Sequence, residues 1–141
     1  MNVLLDSSVL VEAERARFDL AAWAESEPKV VLWICDAGVS EFLAGRPVKD
    51  AGQLNRFWHC YLDTVAQLPS LALSHAVCEE AGNRISAARA HGFTVGLGDA
   101  LHAGAAALGG CVVATVDTDH FRHLGMACFN PLKEAASQAR A

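Results

Sequence analysis

The segment MNVLLDSS, residues 1–8, begins the chain with a short apolar run that ends at an acid, Asp6. A second run, VVLWIC at residues 30–35, is uninterrupted and β-rich, as expected for a strand that is covered on both faces. A third run, CVVATV at residues 111–116, has the same character and is followed by Asp117. Stretches with helical spacing separate these runs, and strands that alternate with helices indicate a parallel sheet. The pattern predicts an α/β fold, a three-layer α/β/α sandwich with a mostly parallel central sheet.

Capping residues and periodicity predict the elements between these strands. Ser7 or Ser8 is expected to cap the first helix, and Asp36 is expected to cap the helix that contains Glu41. The tail after Pro131 is expected to fray. Further helices are predicted at residues 18–25, 50–67, 74–91, 99–108 and about 119–124, and short strands at residues 71–73 and 127–129.

Size and composition restrict the class of protein. The 141 residues suit one domain, residues 1–141, in which residues 132–141 form the frayed tail. An apolar content of 52% with 19% charged residues is typical of an ordered globular chain. The formal net charge of -5 argues mildly against a nucleic-acid binder, because such proteins tend to be basic. An acidic metal centre would account for part of this charge.

The five cysteines indicate a reducing compartment. Their number is odd and no two have the spacing C-x-x-C, so neither a disulfide framework nor a zinc knuckle is expected, and the thiols should be buried and reduced. No secretory signal is expected, because the N-terminus lacks a basic region and Asp6 interrupts the apolar run. The longest uncharged stretch, residues 103–116, is too short and too rich in glycine to cross a bilayer. We expect a cytoplasmic protein with no membrane partner.

Four acidic residues lie at strand ends or near helix starts: Asp6, Glu41, Asp99 and Asp117. Ligands of parallel α/β sheets bind beyond the carboxyl ends of the strands, so folding should bring these acids together. Clustered carboxylates repel one another unless a cation lies between them. Taken singly, Asp6 could cap a helix, Asp99 could favour a helix dipole and Glu41 could be solvated. Together they predict a divalent cation site, and oxygen ligands of this kind suit Mg²⁺ or Mn²⁺.

Four sequence blocks span most of the chain and carry a family resemblance. They are LDSSVL at residues 5–10, VSEF at residues 39–42 with Gly45, GDALHA at residues 98–103 with Ala106, and ATVDTD at residues 114–119 with Phe121. In this order and spacing they resemble the motifs of the PIN-domain family, and within it the VapC toxins of toxin–antitoxin pairs. Two residues depart from the family pattern. His102 stands where the family usually has an aliphatic residue, and His120 separates Asp119 from Phe121.

The resemblance implies a metal-dependent endoribonuclease, the toxin of a VapBC-type pair, that hydrolyses RNA with a water activated by Mg²⁺ or Mn²⁺. It implies tRNA or rRNA as the substrate, a small antitoxin protein as a partner, and a homodimer. Products with a 5′-phosphate and a 3′-hydroxyl are expected. The residues carried over are Asp6, Glu41, Asp99 and Asp117 as catalytic acids, Asp6, Asp99 and Asp117 among them as metal ligands, and Ser8, Thr115 and Asp119 in support.

Two other functions remain open. A PIN-like module could keep the fold and bind RNA or protein without turnover, although the complete set of four acids argues against a degenerate site. A phosphotransfer or dehalogenase-type enzyme could use Asp6 as its nucleophile. Such an enzyme needs a second acid two residues later, where this chain has Ser8. Cleavage assays and a metal-binding titration would separate these possibilities.

The remaining histidines and aromatic residues are expected to have structural roles. His102 shares a helix face with the third acid, and we expect it to be packed or at the rim, with a substrate contact or a supporting role as the alternative. His120 and His123 are expected at the surface. One helical stripe could be either core packing or a partner interface, and it consists of Phe57, Trp58 and Tyr61.

Overall fold

The computed structural model describes residues 1–141, and a sheet of five parallel strands lies at its centre. The strands are β1 (Asn2–Leu5), β2 (Val31–Cys35), β3 (Ser70–Leu71), β4 (Val112–Ala114) and β5 (Cys128–Phe129), in the sheet order β3-β2-β1-β4-β5. β1 is the middle strand, with Leu4 opposite Trp33 of β2 on one side and Val113 of β4 on the other. The predicted parallel sheet is confirmed.

Eight α-helices and one short 3-10 turn at Val65–Gln67 connect the strands. The helices are α1 (Ser7–Glu14), α2 (Leu20–Ser26), α3 (Asp36–Ala44), α4 (Ala51–Asp63), α5 (His75–Ala90), α6 (Leu97–Gly109), α7 (Thr118–His123) and α8 (Pro131–Arg140). None of them has both the length and the hydropathy that a membrane crossing requires.

Successive side chains of β1 enter two different cores, one on each face of the sheet. Leu4 packs with the alanines of α5 and α6, whereas Val3 and Leu5 pack with α1, α2 and α4. This arrangement confirms the predicted three-layer α/β/α sandwich. Gly104 brings α6 close to α5, because a Cβ at that position would lie only 2.7 Å from the carbonyl oxygen of Val77. The close packing holds the first turn of α6 beside the carboxyl edge of the sheet.

Two helices begin differently from the prediction. α1 follows Asp6, whose side chain makes no capping hydrogen bond, so neither Ser7 nor Ser8 is the cap. α3 begins at Asp36 itself, with Cys35 at the N-cap position, and the Asp36 carboxylate accepts only a long bond of 3.4 Å from a backbone N–H outside the helix. In both places the strand runs directly into the helix, so the residue expected to cap already has helical backbone.

The tail that was expected to fray is the helix α8. Asn130 caps it by accepting a hydrogen bond from the backbone N–H of Leu132 at 3.0 Å, and Pro131 occupies its first turn. Leu132 and Ala135 pack against the core on the β1, β5 and α2 side. The Asn-Pro start signal and the apolar pair spaced three residues apart are the sequence features that favour this helix.

The aromatic stripe of α4 is divided between the core and the surface. Phe57 is 3% exposed and stacks on Phe42 with ring centroids 4.7 Å apart, whereas Trp58 is 37% exposed. Core packing therefore accounts for Phe57, and the outer ring of Trp58 is available for contacts with a partner.

All five cysteines are free thiols, as the odd count indicated. Only Cys35 and Cys111 are buried, and Cys78 is exposed, so the expectation of uniformly buried thiols was wrong. Cys78 lies on α5, whose face opposite the sheet is open to solvent.

Candidate active site

The carboxyl edge of the sheet opens into a cleft of about 320 Å³, which we call the acidic cleft. Asp6 reaches it directly from the end of β1, and Asp117 from the turn between β4 and α7. Asp99 enters from the first turn of α6. The residues that line the cleft are Asp6, Ser7, Ser8, Val11, Glu12, Asp99, Val116, Asp117 and His120. Three of the four acids expected at the site thus face one cleft.

Glu41, the fourth expected acid, approaches from α3 beside this cleft. Its carboxylate lies against Gly98, where an added Cβ would be 3.1 Å from Oε2. A glycine directly before Asp99 therefore lets the Glu41 carboxylate pack against the first turn of α6. The fold brings all four expected acids to one edge of the sheet, with Glu41 beside the three that line the cleft.

Two hydroxyl groups hold the carboxylate of Asp6. The hydroxyl of Ser8 donates to Oδ2 at 2.6 Å, and the hydroxyl of Thr115 donates to the same oxygen at 2.9 Å. Asp6 is only 4% exposed and Thr115 is fully buried. Hydrogen bonds to an ionised acceptor are stronger than neutral ones, so this pair fixes the orientation of Asp6 and leaves Oδ1 free of hydroxyl donors. The positions assigned to Ser8 and Thr115 by resemblance are consistent with this geometry.

The same two hydroxyls also tie α1 to the β4–α7 turn. Thr115 accepts a hydrogen bond from the backbone N–H of Asp117 at 3.0 Å, and Ser8 accepts one from the backbone N–H of Val116 at 3.1 Å. Each hydroxyl therefore donates to Asp6 and accepts from the turn that carries Asp117. The network couples the positions of two acids that are far apart in the sequence.

His102 lies fully buried beneath the acids. Its Nδ1 is 2.8 Å from the carbonyl oxygen of Gly98, and its Nε2 has no hydrogen bond and lies 3.8 Å from Oδ1 of Asp6. Burial alone would lower the pKa of His102, but the Cys35 sulfur, the Asp6 carboxylate and the Gly98 carbonyl together outweigh it and raise the pKa to about 9. The fold therefore places the His102 imidazole directly under the carboxylates, where their charge favours its protonated form.

The unusual histidine in α6 packs well because α3 makes room for it. A Cβ at Gly38 of α3 would lie 3.0 Å from Nε2 of His102. The expectation that His102 is packed is confirmed. It also lies close to Asp6 and Glu41, which is the supporting position named as the alternative.

His120 joins two of the acids. Its Nδ1 lies 2.9 Å from Oδ2 of Asp99 and 3.1 Å from Oδ2 of Asp117. His120 was expected at the surface, and its ring is indeed half exposed. Its Nδ1, however, lies inside the acidic cleft. The spacing of three residues from Asp117 to His120 across the start of α7 was the available signal, since such pairs share a helix face.

Burial and mutual repulsion raise the pKa values of two of the acids. For Glu41, burial is the largest cause; the charges of Asp6 and Asp99 add to it and His102 opposes it. For Asp99, burial again comes first and the charge of Asp6 adds, while His120 and His102 act in the opposite direction. The folded protein thus disfavours the state in which all of these carboxylates are ionised. That fully ionised state is the one that would attract a cation most strongly.

Two acids outside the main set lie in or near the site, in different ways. Asp119 was assigned a supporting role, but its side chain is 76% exposed and pairs with Arg122 at 3.3 Å outside the acidic cleft. Glu12, which the motifs do not include, also lines the cleft while pairing with Arg17 at 2.8 Å. Glu12 lies four residues after Ser8 on α1, so helical spacing alone would have indicated its direction.

The donors of the acidic cleft suit a hard divalent cation in kind. Asp6, Asp99 and Asp117 all offer carboxylate oxygens, the ligands that Mg²⁺ and Mn²⁺ prefer. As the side chains stand, no three histidine, cysteine or acidic side chains converge on one point at which they could hold an ion. Mg²⁺ keeps several of its waters and needs only one or two direct carboxylates, so three-way convergence is not required for binding.

Comparison with known proteins gives a family match and a set of similar folds. The family model of the PIN domain matches residues 3–125. A search of the curated proteins gave no match.

Three solved structures represent the similar folds. FitAcB from Neisseria gonorrhoeae is 22% identical with a TM-score of 0.72, over 92% of this chain and 97% of that chain. VapBC2 from Rickettsia felis, bound to a promoter DNA fragment, is 17% identical with a TM-score of 0.79, over 92% and 98%. DNA-bound VapBC from Salmonella typhimurium is 17% identical with a TM-score of 0.79, over 93% and 98%. At these identities the likeness establishes the fold.

Proposed function

Because this chain belongs to the PIN-domain family, we propose that it is a metal-dependent endoribonuclease and the toxin of a VapBC-type toxin–antitoxin pair. The observation that carries the proposal is the acidic cleft, in which Asp6, Asp99 and Asp117 line one opening at the carboxyl edge of a parallel sheet. Ligands of such sheets bind at this edge. A cleft this acidic repels a phosphodiester unless a cation is also present, so the proposed activity requires a metal.

Asp6, Asp99 and Asp117 are the proposed ligands of Mg²⁺ or Mn²⁺. When bound, the ion would neutralise the carboxylates, polarise the phosphodiester and make a water more acidic. Asp6 is the residue best prepared for this role, because Ser8 and Thr115 occupy only its Oδ2 and leave its Oδ1 without a hydroxyl donor.

Glu41 is the proposed proton acceptor. Partial burial raises its pKa, and the neighbouring acids raise it further, so its carboxylate takes up a proton more readily than an isolated glutamate does, although the side chain is still 41% exposed. Gly98 allows it to lie against the turn that carries Asp99. His102 lies 3.4 Å from Oε1 of Glu41 and limits the rise in its pKa. A Glu41→Gln variant would keep the shape of the side chain and lose this capacity.

Cleavage of total cellular RNA by the purified protein tests the proposal. The reactions contain Mg²⁺, Mn²⁺ or EDTA, and they compare the wild type with Asp6→Asn and Asp99→Asn. Asp119→Asn is the matched control, because Asp119 is an exposed acid that lies outside the cleft. We expect discrete cuts with either metal, none with EDTA, none in the two cleft variants, and normal cleavage by the control.

The chemistry of the new RNA ends gives a second, independent test. Hydrolysis by a metal-activated water leaves a 5′-phosphate, so the products should be substrates for a 5′-phosphate-dependent exonuclease. A 2′,3′-cyclic phosphate would instead mean that the ribose hydroxyl was the nucleophile, and it would refute the proposed reaction. Whether tRNA or rRNA is cut follows from mapping these ends.

An antitoxin is the proposed protein partner, and a homodimer the proposed assembly. The solved structures of similar fold include VapBC-5 from Mycobacterium tuberculosis, a member of the VapBC family of toxin–antitoxin systems. A mainly apolar groove between α1, α2 and α4, which includes Phe18, Leu20 and Leu32, is a suitable surface for an apolar helix of such a partner. The test is to co-express the protein with each small protein whose gene adjoins its own. We expect a stable complex in which cleavage is blocked and then restored when the partner is removed.

A further inference from the structure

A second cleft lies where the loop between α5 and α6 meets α7. It has a volume of about 640 Å³, and its lining includes Arg84, His91, Phe93, Arg122 and His123. No carboxylate lines it, although the chain as a whole has a formal net charge of -5. We call it the basic cleft. Its lining offers cationic rather than acidic side chains, and it plays no part in the chemistry described above.

A pair of stacked rings lies in the basic cleft. The rings of Phe93 and His123 are nearly parallel, with an interplanar angle of 7° and centroids 3.8 Å apart. Phe93 is nevertheless 40% exposed, so its ring is not simply a core residue. The turn at Gly92, with φ +83°, directs Phe93 back toward α5. The backbone N–H of Phe93 donates to the carbonyl of Ala88 at 3.0 Å. The backbone therefore fixes an aromatic surface on which a further planar ring can stack.

The two arginines of the basic cleft differ in their freedom. Arg84 is committed to the protein, since its Nη1 donates to the carbonyl of Leu124 at 2.7 Å and its Nε pairs with Glu80 at 2.9 Å. It anchors the end of α7, and with it His123. Arg122 is 64% exposed and has only the exposed Asp119 as an acidic partner, at 3.3 Å. Exposed pairs of this kind contribute little, so Arg122 can turn to a phosphate at small cost.

The helix α7 connects the two clefts. His120 lines the acidic cleft and His123, three residues later, lines the basic cleft. Side chains at this helical spacing are neighbours, with Cβ atoms about 5–6 Å apart. A strand whose phosphodiester lies in the acidic cleft can therefore reach the Phe93–His123 pair with an adjacent nucleotide.

We propose that the basic cleft binds an unpaired nucleobase adjacent to the cleaved phosphodiester, stacked on the Phe93–His123 pair, while Arg122 contacts a neighbouring phosphate. The inference rests on the proposed nuclease function and adds to it a base-binding subsite beside the cleaved bond. Stacking accepts any base, because every base has a π-face, whereas a base inside a duplex has both faces covered.

Binding of a fluorescein-labelled single-stranded RNA, measured by anisotropy, tests the proposal. All proteins carry Asp99→Asn, so that the RNA is not cut during the titration. We expect Phe93→Ala to weaken binding by about tenfold to a hundredfold, the loss that removal of one stacked base produces. Phe93→Trp should retain binding because it keeps a π-face, and Phe93→Leu should not, although it keeps most of the apolar volume. Trp58→Ala, which removes another exposed aromatic ring, is the control and should bind normally.

Two further comparisons identify what the basic cleft recognises. A base-free polyphosphate should bind weakly and should not distinguish Phe93→Ala from its parent. Arg122→Ala should weaken binding of all RNA sequences alike and reduce the salt dependence by about one phosphate contact. Equal binding by Phe93→Ala and its parent would overturn the inference, as would equal losses with RNA and with polyphosphate. If RNA binds as expected but the wild type cuts nothing, the nuclease proposal fails and the base site remains.

Discussion

Thr115→Val is the substitution that most directly tests the hydrogen-bond network of the acidic cleft. Valine has nearly the shape of threonine, so the change leaves little cavity and removes only the hydroxyl. That hydroxyl is fully buried, donates to Oδ2 of Asp6 at 2.9 Å and accepts from the N–H of Asp117 at 3.0 Å. The bond to the charged acceptor contributes about 1.5–3 kcal/mol and the bond from the N–H about 0.5–1.5 kcal/mol. Ser8 retains its bond to Asp6, so we expect a net loss of about 2–3 kcal/mol.

The free energy of unfolding, measured by urea denaturation followed by circular dichroism, gives this loss directly. Thr115→Ser is the matched control, because it keeps the hydroxyl and loses one buried methyl group, at a cost of about 1 kcal/mol. RNA cleavage should fall sharply in the valine variant and only slightly in the serine variant, since the orientation of Asp6 depends on the hydroxyl. If the valine variant is as stable as the wild type, the two hydrogen bonds do not have the energetic role assigned to them.

Two further substitutions test the packing of the sandwich and the place of the bridging histidine. Gly104→Ala should destabilise the fold by about 1–3 kcal/mol, because the new Cβ would lie 2.7 Å from the carbonyl oxygen of Val77. The control is Gly82→Ala on α5, where an added Cβ would have no atom within 4 Å; it should be neutral or stabilising by up to about 1 kcal/mol. Equal effects of the two substitutions in thermal melts would contradict the close contact at Gly104. His120→Ala should tighten Mn²⁺ binding by about threefold to tenfold, because the imidazole now competes with a cation for two carboxylates, at about the energy of one hydrogen bond. Calorimetric titration measures this affinity, and weaker binding by the variant would show that His120 is a ligand instead.

The fold could be predicted from its buried strands. The chain alternates helices with short apolar strands that end at acids. Apolar strands of this kind must be covered on both faces, and the helices between them are the elements that can cover them. Local contacts were harder to predict. Asp6 occupies the N-cap position of α1 as a capping aspartate would, but its oxygen is taken by hydroxyls from Ser8 and from Thr115, the latter 109 residues away. No rule based on neighbouring residues can foresee that competition.

In the candidate site, too, some residues could be predicted from the sequence and others could not. The four acids could be chosen from the ends of strands and the starts of helices, because parallel topology alone brings those ends together. The position of His120 depends on the rotation of a helix of six residues, and the burial of His102 depends on the absence of a side chain at Gly38. Both histidines lie next to acids that could be predicted. The acids follow from topology, whereas the groups that moderate their charge follow from packing.

The packing of these histidines bears on whether the protein needs a metal to fold. His102 lies beneath Asp6, and His120 lies between Asp99 and Asp117, so Asp6, Asp99 and Asp117 each have a histidine nitrogen within 3.8 Å. We therefore expect a cooperative thermal transition in EDTA, with an increase in stability of about 2.7 kcal/mol when Mg²⁺ is present at a hundred times its dissociation constant.

Asp99→Asn separates the two contributions to this stability. The raised pKa of Asp99 means that the folded state disfavours its ionised form, and the resulting penalty is present at neutral pH and is lost as the pH falls through the folded pKa. The uncharged asparagine removes that penalty, so in EDTA the variant should be more stable than the wild type at pH 7 and show no advantage in acid. It should also gain little from Mg²⁺, because a proposed ligand is gone. A variant that is less stable in EDTA but responds fully to Mg²⁺ would show that Asp99 has a structural role, since an acid kept for metal binding should cost stability when the metal is absent.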